Sequence, residues 1–211
     1  MISTGNKRTR IQGINRGIIL DAALEVFSTY GFRGSTIDQI ADKAGMSKPN
    51  LLYYFPSKED IYVTVLENTL EHWLTPFRDI DPDGDPIEEL RKYIREKLKF
   101  SAMSPESSRL FANEILHGAP AIHEFLQSNL KRLVDEKADV VNQWIAQGKI
   151  APVDPYHLIF MIWATTQHYA DFDVQIRAIL PEAAEGNGFF DAAADSVLTI
   201  MLNGIVPRQD G

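Results

Sequence analysis

The sequence predicts an all-α fold, with a small N-terminal three-helix domain followed by a larger C-terminal helical bundle. Apolar residues recur at intervals of three and four along nearly every segment, which is the period of amphipathic helices. Residues that favour helix caps, and glycines and prolines that interrupt helices, stand at the ends of these segments. The composition, with 45% hydrophobic and 24% charged residues in a chain of 211, is that of an ordinary globular protein.

Two helices are predicted before residue 45. The first ends near Tyr30-Gly31, where glycine suits a C-terminal cap. Thr36 then begins a second helix, with Gln39 three residues later to complete a capping box, and Gly45 ends it by taking a positive φ. The apolar stripe of the first helix consists of Ile18, Ile19, Ala22, Ala23, Val26 and Phe27.

A short third helix follows at once. Ser47 is its expected N-cap, Pro49 falls in the first turn, where a missing N–H costs little, and Pro56 closes it. Ser57 with Asp60 repeats the capping pattern and opens a fourth helix.

Helices two and three, joined by a glycine turn, have the pattern of a helix-turn-helix, whose second helix lies in the DNA major groove. Leu51 and Leu52 are expected to hold this short helix on the domain. Its polar side chains would then reach phosphates and base edges. The alternative is a helical hairpin inside a bundle, with aromatic residues that belong to the core. The expected DNA-facing side chains are Lys48, Asn50, Tyr53 and Tyr54.

Charge is distributed unevenly along the chain. The net charge is −8, yet residues 1–56 carry seven basic and four acidic side chains. The first twenty residues hold four cations, among them Arg8 and Arg10, and no acid. Such a segment favours phosphate binding, although a solvated basic tail would have the same composition.

The stretches ILDAALEVFSTYGFRGST and TIDQIADKAGMSKPNLLYYFPSKEDIY closely resemble the DNA-binding domain of the TetR family of bacterial transcription regulators. The resemblance covers about residues 18–66. It implies a two-fold symmetric homodimer that binds a palindromic double-stranded DNA operator and releases it when a small molecule binds the C-terminal domain. Residues 1–56 would form the arm and DNA-binding domain, and residues 57–211 the ligand-binding and dimerisation domain, linked by the helix from about residue 57. The expected DNA contacts are Arg8, Arg10, Thr36, Lys48, Pro49, Asn50, Tyr53, Tyr54 and Lys58.

The C-terminal region supplies the expected dimer interface. Helices are predicted around Leu90–Ser101, Ser107–Gly118 and Ala121–Gly148, after a breaker-rich loop. The segment HLIFMIWATTQHYADF is apolar nearly all round, so one face is expected to meet a partner, although an ordinary core helix has the same pattern. Together with a last helix over Phe189–Ile205, it would form a four-helix dimer interface.

The same segment, with YIREKLKFS and SRLFANEI before it, resembles the pyrimidine-sensing branch of the family, which implies uracil or thymine as effector. Gln167 is the first candidate contact, because an amide both donates and accepts hydrogen bonds, as a pyrimidine does. Core packing or an internal hydrogen bond is the alternative for each candidate. The full set is Trp73, Phe77, Phe111, Asn113, Trp163, Gln167 and Tyr169.

Other classes of protein have little support. The sequence holds no membrane-length apolar run, and its first residues lack the apolar centre of a signal peptide, so we expect a cytoplasmic protein with no membrane partner. The lack of cysteine excludes disulfides and thiolate metal sites. Catalytic motifs are missing and the five histidines are scattered, so no enzyme activity, metal or cofactor is expected. A regulator of a different small molecule, a constitutive DNA-binding protein and a protein-interaction module remain as alternatives.

Overall fold

The computed structural model describes residues 4–181 and 188–207, with side chains from residue 10 onward. All regular structure within these ranges is helical, which confirms the predicted all-α class. No helix among them combines the length and hydrophobicity that crossing a membrane requires. The elements are α1 (Thr4–Gly34), α2 (Ile37–Lys43), α3 (Lys48–Tyr54), α4 (Lys58–Arg78), α5 (Pro86–Met103), α6 (Pro105–Leu116), α7 (His123–Phe125), a π-helical segment (Leu126–Leu130), α8 (Lys131–Ala146), α9 (Pro155–Asp171), α10 (Asp173–Ile179) and α11 (Phe189–Ile205).

The chain forms two compact units. The first unit ends at Leu70 and also includes Arg109–His123, whereas the second comprises Glu71–Ser108 and the chain from Glu124 onward. The first unit therefore extends past residue 56, because it takes in the N-terminal part of α4. Helices α4 and α6 each contribute residues to both units.

Helix α1 begins earlier than its apolar stripe predicts. The basic N-terminal segment is helical from Thr4, rather than an arm that precedes a helix starting near residue 18. Gly31 breaks the helix where the sequence predicts its end, with φ of 67° and ψ of 171°. Ile19, Ala23 and Phe27 are almost completely buried, so the stripe anchors α1 in the first unit.

The helix-turn-helix follows the predicted boundaries. The Gln39 backbone N–H donates to Thr36 Oγ1 over 3.2 Å, and the Thr36 N–H donates to Gln39 Oε1 over 2.8 Å, which completes the predicted capping box. Gly45 has a φ of 67°, as the turn requires. Ser47 is the N-cap of α3, but the predicted hydrogen bond of its side chain is absent. Pro49 has no N–H, so one of the donors that an N-cap side chain normally reaches is missing.

The second unit is built around α5, α8, α9 and α11. The region predicted as one helix over residues 121–148 is divided into α7, the π-helical segment and α8. The wider turns of the π-helical segment interrupt the 3.6-residue period, so Leu126 and Leu130 are only half-buried. Trp144 of α8 is fully buried and donates its Nε1–H to the Pro82 carbonyl over 2.8 Å.

Helices α9 and α11 keep apolar residues on their outer faces. Ile159 and Ile162 of α9 are buried, whereas Phe160 and Met161 are 49% and 56% exposed. On α11, Ile200 is 76% exposed. This separation of a buried and an exposed apolar face agrees with the expectation that α9 meets a partner.

The capping box gives a prediction about stability. Thr36→Ala removes a side-chain acceptor from the start of α2 and should lower the free energy of unfolding by roughly 1 kcal/mol. Ser47→Ala is the matched control, because its side chain makes no cap hydrogen bond, and it should have a smaller effect. Urea denaturation of the full chain measures both. Equal losses in the two variants would contradict the role assigned to Thr36.

Candidate nucleic-acid interface and effector site

Helix α3 presents its predicted contact residues on an exposed face. Lys48, Pro49 and Asn50 in its first turn are exposed, and Tyr53 is 64% exposed, while Tyr54 is half-buried. Leu51 is fully buried on the opposite face. Lys48 is paired with the Asp38 carboxylate of α2 at 2.9 Å, an exposed ion pair that solvent screens strongly. Its ammonium can therefore exchange this partner for a phosphate at small cost.

The N-terminal half of α1 positions the end of α3. Asn15 Nδ2 donates to the Tyr54 hydroxyl over 2.7 Å, and Arg16 Nη1 donates to the Tyr54 carbonyl over 2.9 Å. The guanidinium of Arg16 also lies 4.1 Å from the centre of the Phe55 ring. Sequence reasoning missed these contacts, because they join residues 38 or more positions apart and neither Asn15 nor Arg16 has a characteristic motif.

Lys58 and Thr36, both predicted DNA contacts, have partners within the first unit. Lys58 Nζ donates to the carbonyls of Phe32 and Ser35 over 2.8 and 2.9 Å, where it satisfies acceptors beyond the break in α1. Its ammonium lies 4.4 Å from the Phe32 ring centre. Of the two predicted basic contacts near the N-terminus, Arg10 is exposed, and the Arg8 side chain lies outside the described residues.

A second cluster of polar groups lies where α5 faces α9. Trp163, Gln167 and Asp171 are spaced four apart and so share one face of α9. Trp163 donates its Nε1–H to the Tyr93 hydroxyl of α5 over 2.7 Å. Lys97 lies one turn further along α5 than Tyr93, where the Asp171 carboxylate of α9 acts on its charge.

Lys97 is buried, with 5% of its surface exposed, and its Nζ lies 4.8 Å from the centre of the Trp73 ring. Burial lowers the pKa of Lys97 to about 8, and the Asp171 carboxylate opposes part of that shift. Asp171 in turn accepts a hydrogen bond from Ser108 Oγ over 2.5 Å. The cluster therefore offers a buried cation and a buried aromatic ring beside a half-buried carboxylate.

Sequence reasoning missed Lys97 and Ser108 as members of this cluster. The sequence does indicate that Lys97 is buried, because it occupies a position in the buried stripe of α5, between Ile94 and Leu98. A lysine is rarely buried without a partner or a function.

The predicted effector residues divide into several groups. Trp73 is buried beside Lys97, whereas Phe77 stacks on Tyr93 with ring centres 5.1 Å apart. Gln167 is half-buried, and its side chain makes no hydrogen bond to any other described residue. Tyr169 packs against Phe189 and Phe190 of α11.

Phe111 and Asn113, also predicted to contact the effector, belong to the first unit. Asn113 is exposed and lines a different cavity, together with Phe27 and Tyr62. Within the part of the chain that the structure describes, no three histidine or acidic residues come together as metal ligands would.

Comparison with known proteins relates both parts of the chain to bacterial regulators. The family model for bacterial regulatory proteins of the tetR family matches residues 19–65, and a model for the C-terminal region of YcdC-like proteins matches residues 66–208. The chain is 46% identical over 207 residues to the HTH-type transcriptional regulator RutR of Escherichia coli K12, covering 98% of each chain.

Solved structures give the same fold. The ketosteroid transcriptional regulator KstR2 of Mycobacterium tuberculosis has a TM-score of 0.71 and 25% identity, covering 92% of this chain and 95% of that one. AibR, solved in complex with isovaleryl coenzyme A and operator DNA, has a TM-score of 0.67 and 21% identity, covering 88% and 97% of the two chains.

The burial of Lys97 predicts a specific pH dependence. Its folded pKa of about 8 lies below the ordinary value of 10.5, so the unfolded state binds more protons between these values. The cost of burying the charge is therefore fully present below pH 8 and disappears as the pH rises to about 10.5. Lys97→Met should raise the free energy of unfolding at pH 7, by at most roughly 3 kcal/mol, and this gain should shrink toward pH 10.

Urea denaturation of both proteins at pH 7, 8, 9 and about 10 measures this difference. Lys92→Met is the matched control, because Lys92 is exposed on the same helix. A stability difference between wild type and Lys97→Met that is independent of pH would contradict the burial of a titrating ammonium.

Proposed function

Since the chain belongs to the TetR family of bacterial transcription regulators, we propose that it binds a palindromic operator as a homodimer and releases it when uracil or thymine occupies the second unit. It is a DNA-binding, ligand-responsive regulator of transcription and not an enzyme. Beyond family membership, we propose the identity of the effector, the residues at each site and a cytoplasmic location. The observation that supports the effector assignment is the cluster of Trp73, Lys97, Gln167 and Asp171.

The chemistry of this cluster suits a pyrimidine base. A uracil or thymine ring carries carbonyl acceptors and N–H donors in one plane. The Lys97 ammonium donates to a carbonyl, the Asp171 carboxylate accepts from an N–H, and the Gln167 amide does either. The Trp73 ring supplies an aromatic surface against the flat base. Because an unpaired buried polar group costs about 1 to 3 kcal/mol, molecules without this donor and acceptor pattern bind less well.

The net charge of the cluster also limits which ligands it favours. One ammonium and one carboxylate leave the cluster close to neutral, which favours a neutral base over a phosphorylated one. The half-buried amide of Gln167, without a hydrogen bond among the described residues, is available to a ligand. This agrees with the resemblance of the C-terminal region to a pyrimidine-sensing regulator.

For DNA, the proposed contacts are the exposed residues at the start of α3 together with its two tyrosines. Lys48 contacts phosphate, Asn50 reads a base edge, and Tyr53 and Tyr54 contribute phosphate or thymine-methyl contacts. Asn15 and Arg16 act as positioning residues, because they hold Tyr54. The remaining proposed contacts are Arg8, Arg10, Thr36, Pro49 and Lys58. Thr36 and Lys58 already have hydrogen-bond partners within the first unit. To contact DNA, each would give up such a partner or use a lone pair or proton that is not yet engaged.

The homodimer is proposed to form through the outer faces of α9 and α11. Phe160, Met161 and Ile200 are too exposed for residues of a fully assembled core. Two helices from each subunit would bury them in a four-helix interface.

The two sites are coupled by helices that belong to both units. Helix α4 carries Lys58 near its beginning and Trp73 in its last part, so movement of Trp73 on ligand binding is passed along a single helix. The effector lowers operator affinity by the difference between its own affinities for the free and the operator-bound protein.

The DNA assignment is tested with Lys48→Ala. Loss of one phosphate contact should weaken binding to an operator selected from random duplexes, and reduce the slope of log K against log salt by about 0.9 per subunit. Asp38→Asn, which frees Lys48 and removes an acid from the surface, should strengthen binding. Fluorescence anisotropy over a salt series measures both, with Lys92→Ala as control. An unchanged salt slope in Lys48→Ala would remove Lys48 from the interface.

The effector assignment is tested with Gln167→Ala. A thermal-shift titration of the wild type with uracil and thymine should give a saturable rise in Tm, which adenine does not give. Gln167→Ala should lose this rise and still bind the operator, whereas Gln143→Ala, at an exposed position on α8, should behave as wild type. A wild-type protein that binds the operator but does not respond to either base would refute the pyrimidine assignment. A monomeric Gln167→Ala would show that Gln167 supports the dimer instead.

A further inference from the structure

A cavity of about 540 Å³ lies within the first unit. Its walls come from the end of α1, from α4, and from α6 with the turn that follows it. None of its lining residues belongs to the cluster around Lys97. The volume falls within the range of about 300 to 1,000 Å³ that is typical of small-molecule sites.

One wall of this cavity is aromatic. The Tyr62 ring centre lies 5.0 Å from that of Phe27 and 4.7 Å from that of Phe32. The Lys58 ammonium already occupies one face of Phe32, 4.4 Å from the ring centre, so the wall itself offers an apolar surface rather than a free cation site. The wall therefore favours a ligand with an aromatic ring.

A buried carboxylate supplies a negative charge to the cavity. Glu114 of α6 is 6% exposed. Its Oε2 accepts from the Tyr62 hydroxyl over 2.9 Å, and its Oε1 accepts from the Ala121 backbone N–H over 2.7 Å. Both donors are neutral, and within the described ranges Glu114 forms no ion pair. Burial first, and then the hydrogen bond and charge of Glu114, raise the pKa of Tyr62, which therefore stays protonated as a donor.

A buried carboxylate with only neutral partners is incompletely compensated, and each of its oxygens keeps a further lone pair. Arg33 and His117 also line the cavity, but both are exposed, so solvent and salt screen their effect on a ligand. Of the charged residues that line the cavity, Glu114 is the buried one.

The turn beside the acid is strained. Ala119 has a φ of 54°, and it is the only described residue other than glycine with a positive φ. Glu114 holds this turn twice, because its carbonyl accepts the Ala119 N–H over 2.8 Å and its carboxylate accepts the Ala121 N–H. Residues held in a sparsely populated conformation are concentrated at ligand sites and switch regions.

From the aromatic wall, the buried Glu114 carboxylate and the strained turn, we propose that this cavity is a second ligand site, which takes a small organic cation with an aromatic ring. The ammonium hydrogen-bonds to Glu114, and the ring packs on Phe27, Phe32 and Tyr62. The site is separate from the pyrimidine cluster and belongs to the unit that carries the helix-turn-helix. A cation bound there competes with Tyr62 and Ala121 for the carboxylate, and so acts directly on the contact between α4 and α6 in this unit.

The test uses benzylammonium as the cation and benzyl alcohol as the neutral molecule of the same shape. Isothermal titration of the full chain should give saturable binding of benzylammonium and about tenfold weaker binding of benzyl alcohol, because a charge-assisted hydrogen bond is lost. Glu114→Gln should weaken benzylammonium binding by a similar factor. Glu124→Gln, at an exposed acid beyond α6, should bind as wild type.

Tyr62→Phe is a second test that does not depend on the folding of Glu114→Gln. It removes a competing donor and leaves the carboxylate in place, so benzylammonium binding should become tighter by a few fold. Equal binding of benzylammonium and benzyl alcohol to the wild type, or no binding of either, would overturn the proposal. These readouts involve neither operator nor pyrimidine, so they are independent of the outcome for the function proposed above.

Discussion

The buried charge of Lys97 constrains four helices of this chain. An ammonium removed from water needs an aromatic or anionic partner, and the structure supplies Trp73 from α4 and Asp171 from α9. Asp171 is held in turn by Ser108 at the start of α6. The proposed effector cluster is therefore also part of the packing, since Lys97 of α5 is linked through Trp73, Asp171 and Ser108 to three other helices. The residues of the proposed binding site are thus also residues of the helical core.

A related dependence governs the recognition helix. Helix α3 has seven residues, too few to be stable by itself, so its shape is determined by what it packs against. Leu51 supplies the buried anchor, while Asn15 and Arg16 hold the backbone and hydroxyl of Tyr54. The orientation of the groups proposed to contact DNA is thus set by α1 as well as by the helix-turn-helix.

Features determined by neighbouring residues could be predicted from the sequence, and those determined by distant ones could not. The capping box at Thr36 and the turn at Gly45 are local, so their residue types are sufficient evidence. The roles of Trp73 and Gln167 at an effector site remain predictions. The burial of Lys97 beside Trp73 was missed, because a lysine is usually assigned to a surface. The helical N-terminus and the π-helical segment depend on tertiary packing, which periodicity does not report.

The early start of α1 has a consequence for modularity. The segment shared with other tetR-type proteins begins at residue 19, yet Asn15 and Arg16 precede it and bind the end of α3. In a hybrid regulator made by exchanging only the shared segment, a recognition helix from another protein would pack against Asn15 and Arg16 of this chain. The segment that positions α3 is therefore longer than the stretch matched by the family model, and it includes the turns of α1 that precede residue 19.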